Sequence, residues 1–194
     1  PRLKKVAKKA MESNMWLSID AEESWRVDAS LILFEELFKD EEFEGYEGLG
    51  FVLQSYSKRA YYIIQYLKEL SEKYGRKIPV RLVKGAYWDT EIKYAQQNGL
   101  EGYPVFTRKS HTDLSYLVCA KEMLDNPDNF YPQFASHSAL TVSAIREITE
   151  EDEDGKLFEF QRLYGMGETF YEQLKDKVPC RIYAPVGEYS ELLP

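Results

Sequence analysis

Cysteine is nearly absent from this chain. Its 194 residues contain two, Cys119 and Cys180, far apart and each beside apolar neighbours. That excludes a disulfide framework and any cysteine metal-ligand spacing, and it suits a reducing compartment with two free thiols. Long apolar runs are missing as well. No stretch approaches the roughly 20 apolar residues of a membrane span, and the charged amino terminus lacks the apolar core of a signal peptide, so a cytoplasmic protein is expected. Positive charge is not in excess either. With 25 Lys and Arg against 33 Asp and Glu, the net charge of -8 argues against general nucleic-acid affinity, which needs a basic face to neutralise phosphates. Neither GxGxxG nor GxxxxGK[ST] occurs, which leaves a Rossmann or P-loop nucleotide site without support. No low-complexity linker divides the chain, and residues 1–194 read as one domain of ordinary size.

What is present is an alternation. Short apolar-rich runs, MWLSIDAEE at 15, LGFVLQSYSKR at 49, PVRLVKGAYW at 79, YPQFASHS at 131, KLFEFQRLYGMGE at 156 and CRIYAPVGE at 180, are separated by helical patterns. The helices show inward stripes: Leu31, Phe34, Leu37 and Phe38 in one, Ile63, Ile64, Leu67 and Leu70 in the next, then Leu114, Leu117, Val118 and Leu124. Six βα units predict an α/β fold with a parallel sheet and crossover helices, closed as a barrel or open as a doubly wound sheet. The opening PRLKKVAKK reads as a solvated helix face, and EEDEDG at 150–155 as an exposed loop. Trp16, Trp25 and Trp88 read as core residues, His111 as an exposed helical position and Tyr171 as part of an amphipathic helix.

The most informative stretch is RLVKGAYWDTEIK, residues 81–93. Val80, Leu82 and Val83 read as a buried parallel strand, which puts Arg81 and Lys84 near its carboxyl end, where barrels and open α/β folds keep their chemistry. Gly85 then lets the backbone approach something flat or charged. Taken together, the strand ends supply Asp20, Gln54, Arg81, Lys84, His137, Gln161 and Tyr183, a polar and ionisable crown that suits a heteroaromatic ring system with phosphates, such as a flavin. The GMG at 165–167 could hold a phosphate on backbone amides. Other readings stay open. Lys84 could be a Schiff-base lysine of an aldolase-like barrel; Asp20, Glu22 and Glu23 could supply a glycosidase pair; or the chain could be a non-catalytic interaction module.

The runs IDAEES, GFVLQSYSKR, VRLVKGAYWDTEIK, GLEGYPVFTRK, YPQFASHSA, FEFQRLYGMGE and CRIYAPVG, in that order from about Met15 to Glu188, resemble the proline dehydrogenase domain of bacterial bifunctional proline utilisation A proteins. The resemblance implies a (βα)8 TIM barrel that oxidises L-proline to Δ1-pyrroline-5-carboxylate with FAD and passes electrons to a membrane quinone, the parent protein meeting the membrane peripherally. It implies that Arg81 lies by the flavin N5, that Gln54 meets the pyrimidine edge, and that Val83, Lys84, Gly85, Ala86 and Trp88 line the flavin and its ribityl-phosphate arm. Thr107, Arg108 and Lys109 would serve the adenosine side, and Ser136, His137, Gln161 and Arg162 would complete the cofactor contacts. Asp20, Tyr87, Leu163 and Tyr183 would form the substrate pocket. The chain departs from the family at Ser138, where an asparagine is usual, and at Tyr164, where a histidine is usual. The family barrel also uses a lysine on an earlier strand and an arginine pair on the last helix, which are not found in this sequence. The chain thus reads as the last six βα units of eight, with sheet edges that dimerisation or another chain would cover. Each charge-assisted hydrogen bond lost with the arginine pair would be worth roughly 1.5 to 3 kcal/mol, so weak or no turnover is expected of this piece alone.

Overall fold

The computed structural model describes residues 2–149, 158–174 and 179–187. A helix, α1 (Arg2–Glu12), precedes six strands: β1 (Leu17–Ile19), β2 (Leu49–Gln54), β3 (Ile78–Val83), β4 (Phe130–Ala135), β5 (Glu159–Leu163) and β6 (Cys180–Tyr183). Between them run α2 (Val27–Phe38), α3 (Ala60–Tyr74), α4 (Trp88–Gln97), α5 (Lys109–Leu124), α6 (Ala139–Ile148) and the short α7 (Glu168–Glu172). The strands form one sheet in sequence order, each parallel to the next. A doubly wound sheet would reverse direction at a switch point. This one never does, so every crossover falls on the same side and the sheet is of singly wound, barrel-like type.

Strand periodicity separates two faces. In β3, Ile78, Val80 and Leu82 are fully buried against the helices, while the alternate position Arg81 faces the concave side in register with Val52 and Gln133. Each such aliphatic side chain contributes roughly 1.5–3 kcal/mol on burial. The same outer layer holds Phe34 and Phe38 of α2, Ile63, Ile64 and Leu67 of α3, and an aromatic cluster of Phe134, Phe158, Phe160 and Tyr171. On α1, Lys4 and Lys8 pair with Asp40 and Glu42, so part of the amino-terminal basic face is tied to the loop after α2.

Two expectations change. On α5, Leu114 and Val118 are exposed; the inward face is Thr112, Tyr116, Cys119, Ala120 and Met123. Apolar residues occur all round this helix, so its rotation is set by Tyr116, whose hydroxyl donates to the carbonyls of Leu82 and Ala135 at the ends of β3 and β4. Trp16, Trp25 and Trp88 are nearly half exposed rather than core. Trp25 stacks on Tyr94 and Trp88 donates to the Phe106 carbonyl, so each is held at the surface by one partner. The acidic run at 150–155 lies outside the described residues. Both thiols are free, and burial pushes Cys119 up to about 11.

Candidate active site

The carboxyl ends of the strands open into a cavity of about 630 Å³. Its floor is Arg81. One guanidinium nitrogen lies 2.7 Å from the Asp20 Oδ1, and the guanidinium sits 5.5 Å over the Tyr183 ring. The Arg81 Nε is buried with no partner. A buried donor left unpaired costs about 1–3 kcal/mol, so this atom marks a place where a ligand acceptor fits. Burial pushes the Tyr183 phenol up, against the pull of Arg81, and Tyr87 is raised by burial and by Asp20. Both remain neutral donors at neutral pH.

The wall beside Arg81 is backbone. Val83 and Lys84 give their carbonyls to Ser55 and Tyr56, and Gly85 follows at φ +140. A Cβ there would meet the Tyr56 ring at 2.4 Å, so glycine alone allows strand, ring and cavity to meet. Gln54 staples two loops across this wall. Its Nε2 donates to the Glu22 carbonyl at 2.7 Å, and its Oε1 accepts from the Ala86 N–H at 3.0 Å. One donor and one lone pair of Gln54 remain for a ligand.

Lys84 is engaged by the Asp113 carboxylate, which also accepts from Lys109 at 2.6 Å. Burial pushes Asp113 up, but the two lysines outweigh it and hold the carboxyl below its usual value. Asp113 was not among the residues expected from sequence; its place four residues after Lys109 on a helix was the available signal. This engagement removes the setting a Schiff-base lysine needs, a free amine in an apolar pocket. An adjoining hollow of about 320 Å³ is lined by Trp88 and Thr107 together with Lys84 and Lys109. Arg108 stands at the amino end of α5.

His137 and Ser136 close the opposite rim. The His137 Nε2 accepts from the Leu163 N–H at 3.0 Å, which places the ring proton on Nδ1. Burial and the nearby Arg162 lower its pKa. Nitrogen NMR of His137 should therefore show the neutral Nδ1–H tautomer at pH 7, and protonation as pH falls through and below its ordinary value near 6.5 should free the Leu163 N–H. An Nε2–H tautomer would sink this. Because the folded value is depressed, the stability tied to this contact is present above about pH 6.5 and is lost on acidification.

Not every expected residue reaches the cavity. The Leu163 side chain is not part of its lining, and the Arg162 guanidinium turns to the Met166 carbonyl at 3.2 Å, close to Glu168. Gln161 lies deeper, in a second hollow of about 620 Å³ that shares Asp20, Arg81 and Tyr183 with the first. Its Nε2 donates to Glu159, a buried carboxyl that also accepts from Gln133 and from Arg181 at 2.7 and 2.8 Å. This hub was missed in the sequence, where Glu159 is one of three polar residues in a five-residue strand. Glu22 and Glu23 pair with Arg26 rather than facing a second carboxylate, so no glycosidase geometry forms. Among the described residues no cluster of His, Cys, Asp and Glu could hold a metal, and no helix is long and apolar enough to cross a membrane.

Comparison with known proteins gives the chain's family. The chain is 50% identical over 200 residues to the bifunctional protein PutA of Escherichia coli (strain K12), a match that covers all of this chain and 15% of that protein. It is 29% identical over 186 residues to a proline dehydrogenase of Deinococcus radiodurans, covering 95% of this chain and 53% of that one. A crystal structure of proline utilisation A from Bradyrhizobium japonicum, the mutant D779Y, superposes with a TM-score of 0.94 at 47% identity, over 99% of this chain and 20% of that one. The chain thus spans a small part of the PutA proteins it matches. The family sequence model described as proline dehydrogenase matches residues 2–194, and the chain belongs to that family.

Proposed function

We propose that this chain forms the flavin and substrate face of a proline dehydrogenase, an FAD-dependent oxidoreductase that converts L-proline to Δ1-pyrroline-5-carboxylate. The observation that carries the reading is the convergence of Asp20, Arg81, Tyr87 and Tyr183 with a backbone wall at 83–86 on one cavity. These residues fit a flavin. The unpartnered Arg81 Nε and the Cβ-free approach at Gly85 suit a flat polar ring, and Lys84, Lys109 and Arg108 suit a diphosphate arm. When bound, the flavin would accept the hydride that leaves the carbon next to the proline nitrogen.

The protein's own share is electrostatic and steric. Arg81, half-enclosed between Asp20 and Tyr183, offers a fixed positive charge where negative charge develops. Tyr87 and Tyr183 would pack on the pyrrolidine ring and exclude water. Gln54, Ala86, Val83, Ser136 and His137 would frame the ring system, with Trp88 and Thr107 along the arm. Gln161, Arg162 and Leu163 would act from behind, by setting the end of β5. Electrons would pass on to a quinone, with the protein cytoplasmic and the parent peripheral at the membrane; homo-oligomerisation would cover the sheet edges, and no nucleic-acid contact is expected.

The test is the visible spectrum of the purified chain mixed with FAD, before and after anaerobic L-proline. Retained flavin that bleaches with proline is the expected signature of the complete function. Retained but unbleached flavin would restrict the reading to a cofactor half-site, in line with weak turnover by six βα units. No retained flavin would overturn it in favour of a non-catalytic module.

A further inference from the structure

Glu91 is fully buried in the first turn of α4, and no step above uses it. Its two carboxyl oxygens accept from the Ser24 N–H at 2.5 Å and the Ser24 hydroxyl at 2.6 Å. Ser24 belongs to the strap that follows β1, from Asp20 to Arg26. The strap has few other anchors. Gln54 holds the Glu22 carbonyl, and Trp25 stacks on Tyr94, one turn beyond Glu91 on the same helix, with ring centroids 4.3 Å apart. At the near end of the strap, the Ala21 N–H donates to the Asp20 Oδ1 that also pairs with Arg81. At the near end of α4, the Glu91 N–H donates to the Tyr87 carbonyl. Asp20 and Tyr87 both line the cavity.

We propose that Glu91 is a positioning residue whose buried carboxyl clamps the strap to α4 and thereby fixes Asp20 and Tyr87 relative to each other across the cavity. A buried carboxyl that accepts two hydrogen bonds from a single serine, 67 positions away in sequence, has no role in closing its own helix. What it determines is where the strap lies. The consequence for substrate rests on the reading of the cavity as a proline site; the clamp itself does not.

The experiment uses the chain with FAD and the variants Glu91→Ala, Glu91→Gln and Ser24→Ala. Arg26 is more than half exposed and ends the strap, so trypsin cleavage after it reports strap opening. Loss of both bonds in Glu91→Ala should raise cleavage there roughly tenfold or more, with smaller rises in the other two variants. The L-proline concentration for half-bleaching should rise by a similar factor while flavin retention and the limiting bleaching rate hold, a split that general destabilisation would not give. Unchanged cleavage at Arg26 in folded Glu91→Ala would overturn the proposal, as would unchanged half-bleaching in a variant with an opened strap. If Glu91→Ala does not fold, Ser24→Ala decides by the same two readouts. Absence of any proline response in the unsubstituted protein would sink the substrate reading alone, and the cleavage comparison would still decide the clamp.

Discussion

Replacing Gly85 with alanine is expected to destabilise the protein by roughly 2–6 kcal/mol, a large share of the ~5–15 kcal/mol that holds a domain together. Two costs add. The φ of +140 lies where side chains are rarely tolerated, worth about 1–3 kcal/mol. The new methyl would also lie 2.4–2.6 Å from three atoms of the Tyr56 ring. That ring is buried, and its backbone N–H is fixed on the Lys84 carbonyl, so it has little freedom to retreat; overpacking of this kind costs about 1–3 kcal/mol more. Urea unfolding of Gly85→Ala should show a lower midpoint at unchanged slope, and flavin retention should fall with it, because the same backbone forms the cavity wall. Adding Tyr56→Ala to Gly85→Ala should cost less than the single changes summed, since the ring is then gone. An unfolding midpoint equal to that of the unsubstituted chain would show that the wall yields.

Glu159→Ala is the second large effect, expected at about 2–5 kcal/mol. The salt bridge with Arg181 is the smaller part, because the Arg181 side chain is about half exposed and can be rehydrated. The larger part is the stranding of the Gln133 and Gln161 amides, both nearly fully buried and both donating to Glu159. The loss should appear as a lower thermal midpoint. Glu159→Gln, which keeps an acceptor, should lose less. Because Glu159 ties β4, β5 and β6 together at one level, the alanine variant should also loosen Tyr183, two residues after Arg181. Thermal midpoints that match in all three proteins would mean that the hub adds nothing to stability.

The fold is largely legible in the sequence. Period-2 and period-3.6 runs located all six strands and the faces of α2 and α3, and the alternation required a parallel sheet. Singly wound order could not be read, since barrel and doubly wound sheets share the same βα alternation; hydrogen-bond pairing of each strand with its sequence neighbour decided it. The α5 face was misread because Leu114, Leu117, Val118 and Leu124 form an apolar stripe opposite a second one of Tyr116, Cys119, Ala120 and Met123, and a tyrosine with two carbonyl acceptors decided between them.

The site divides in the same way. Sequence by itself determined the family and the residue types at the strand ends, because parallel strands deliver their carboxyl termini to one rim whatever lies between them. Arg81, Asp20, Lys84, Gly85, His137 and Tyr183 were all readable on that ground. Only the tertiary structure decided which of them touch, and through what. Asp113 between two lysines, Gln54 across two loops, Glu91 beneath the strap and Glu159 under four donors are each polar residues of an ordinary helix or strand. Their long-range partners lie 22 to 67 positions away in sequence, as for Glu159 with Arg181 and Glu91 with Ser24. Hydrogen bonds of that range leave no periodic trace in the chain, since direction and burial, not spacing, satisfy them.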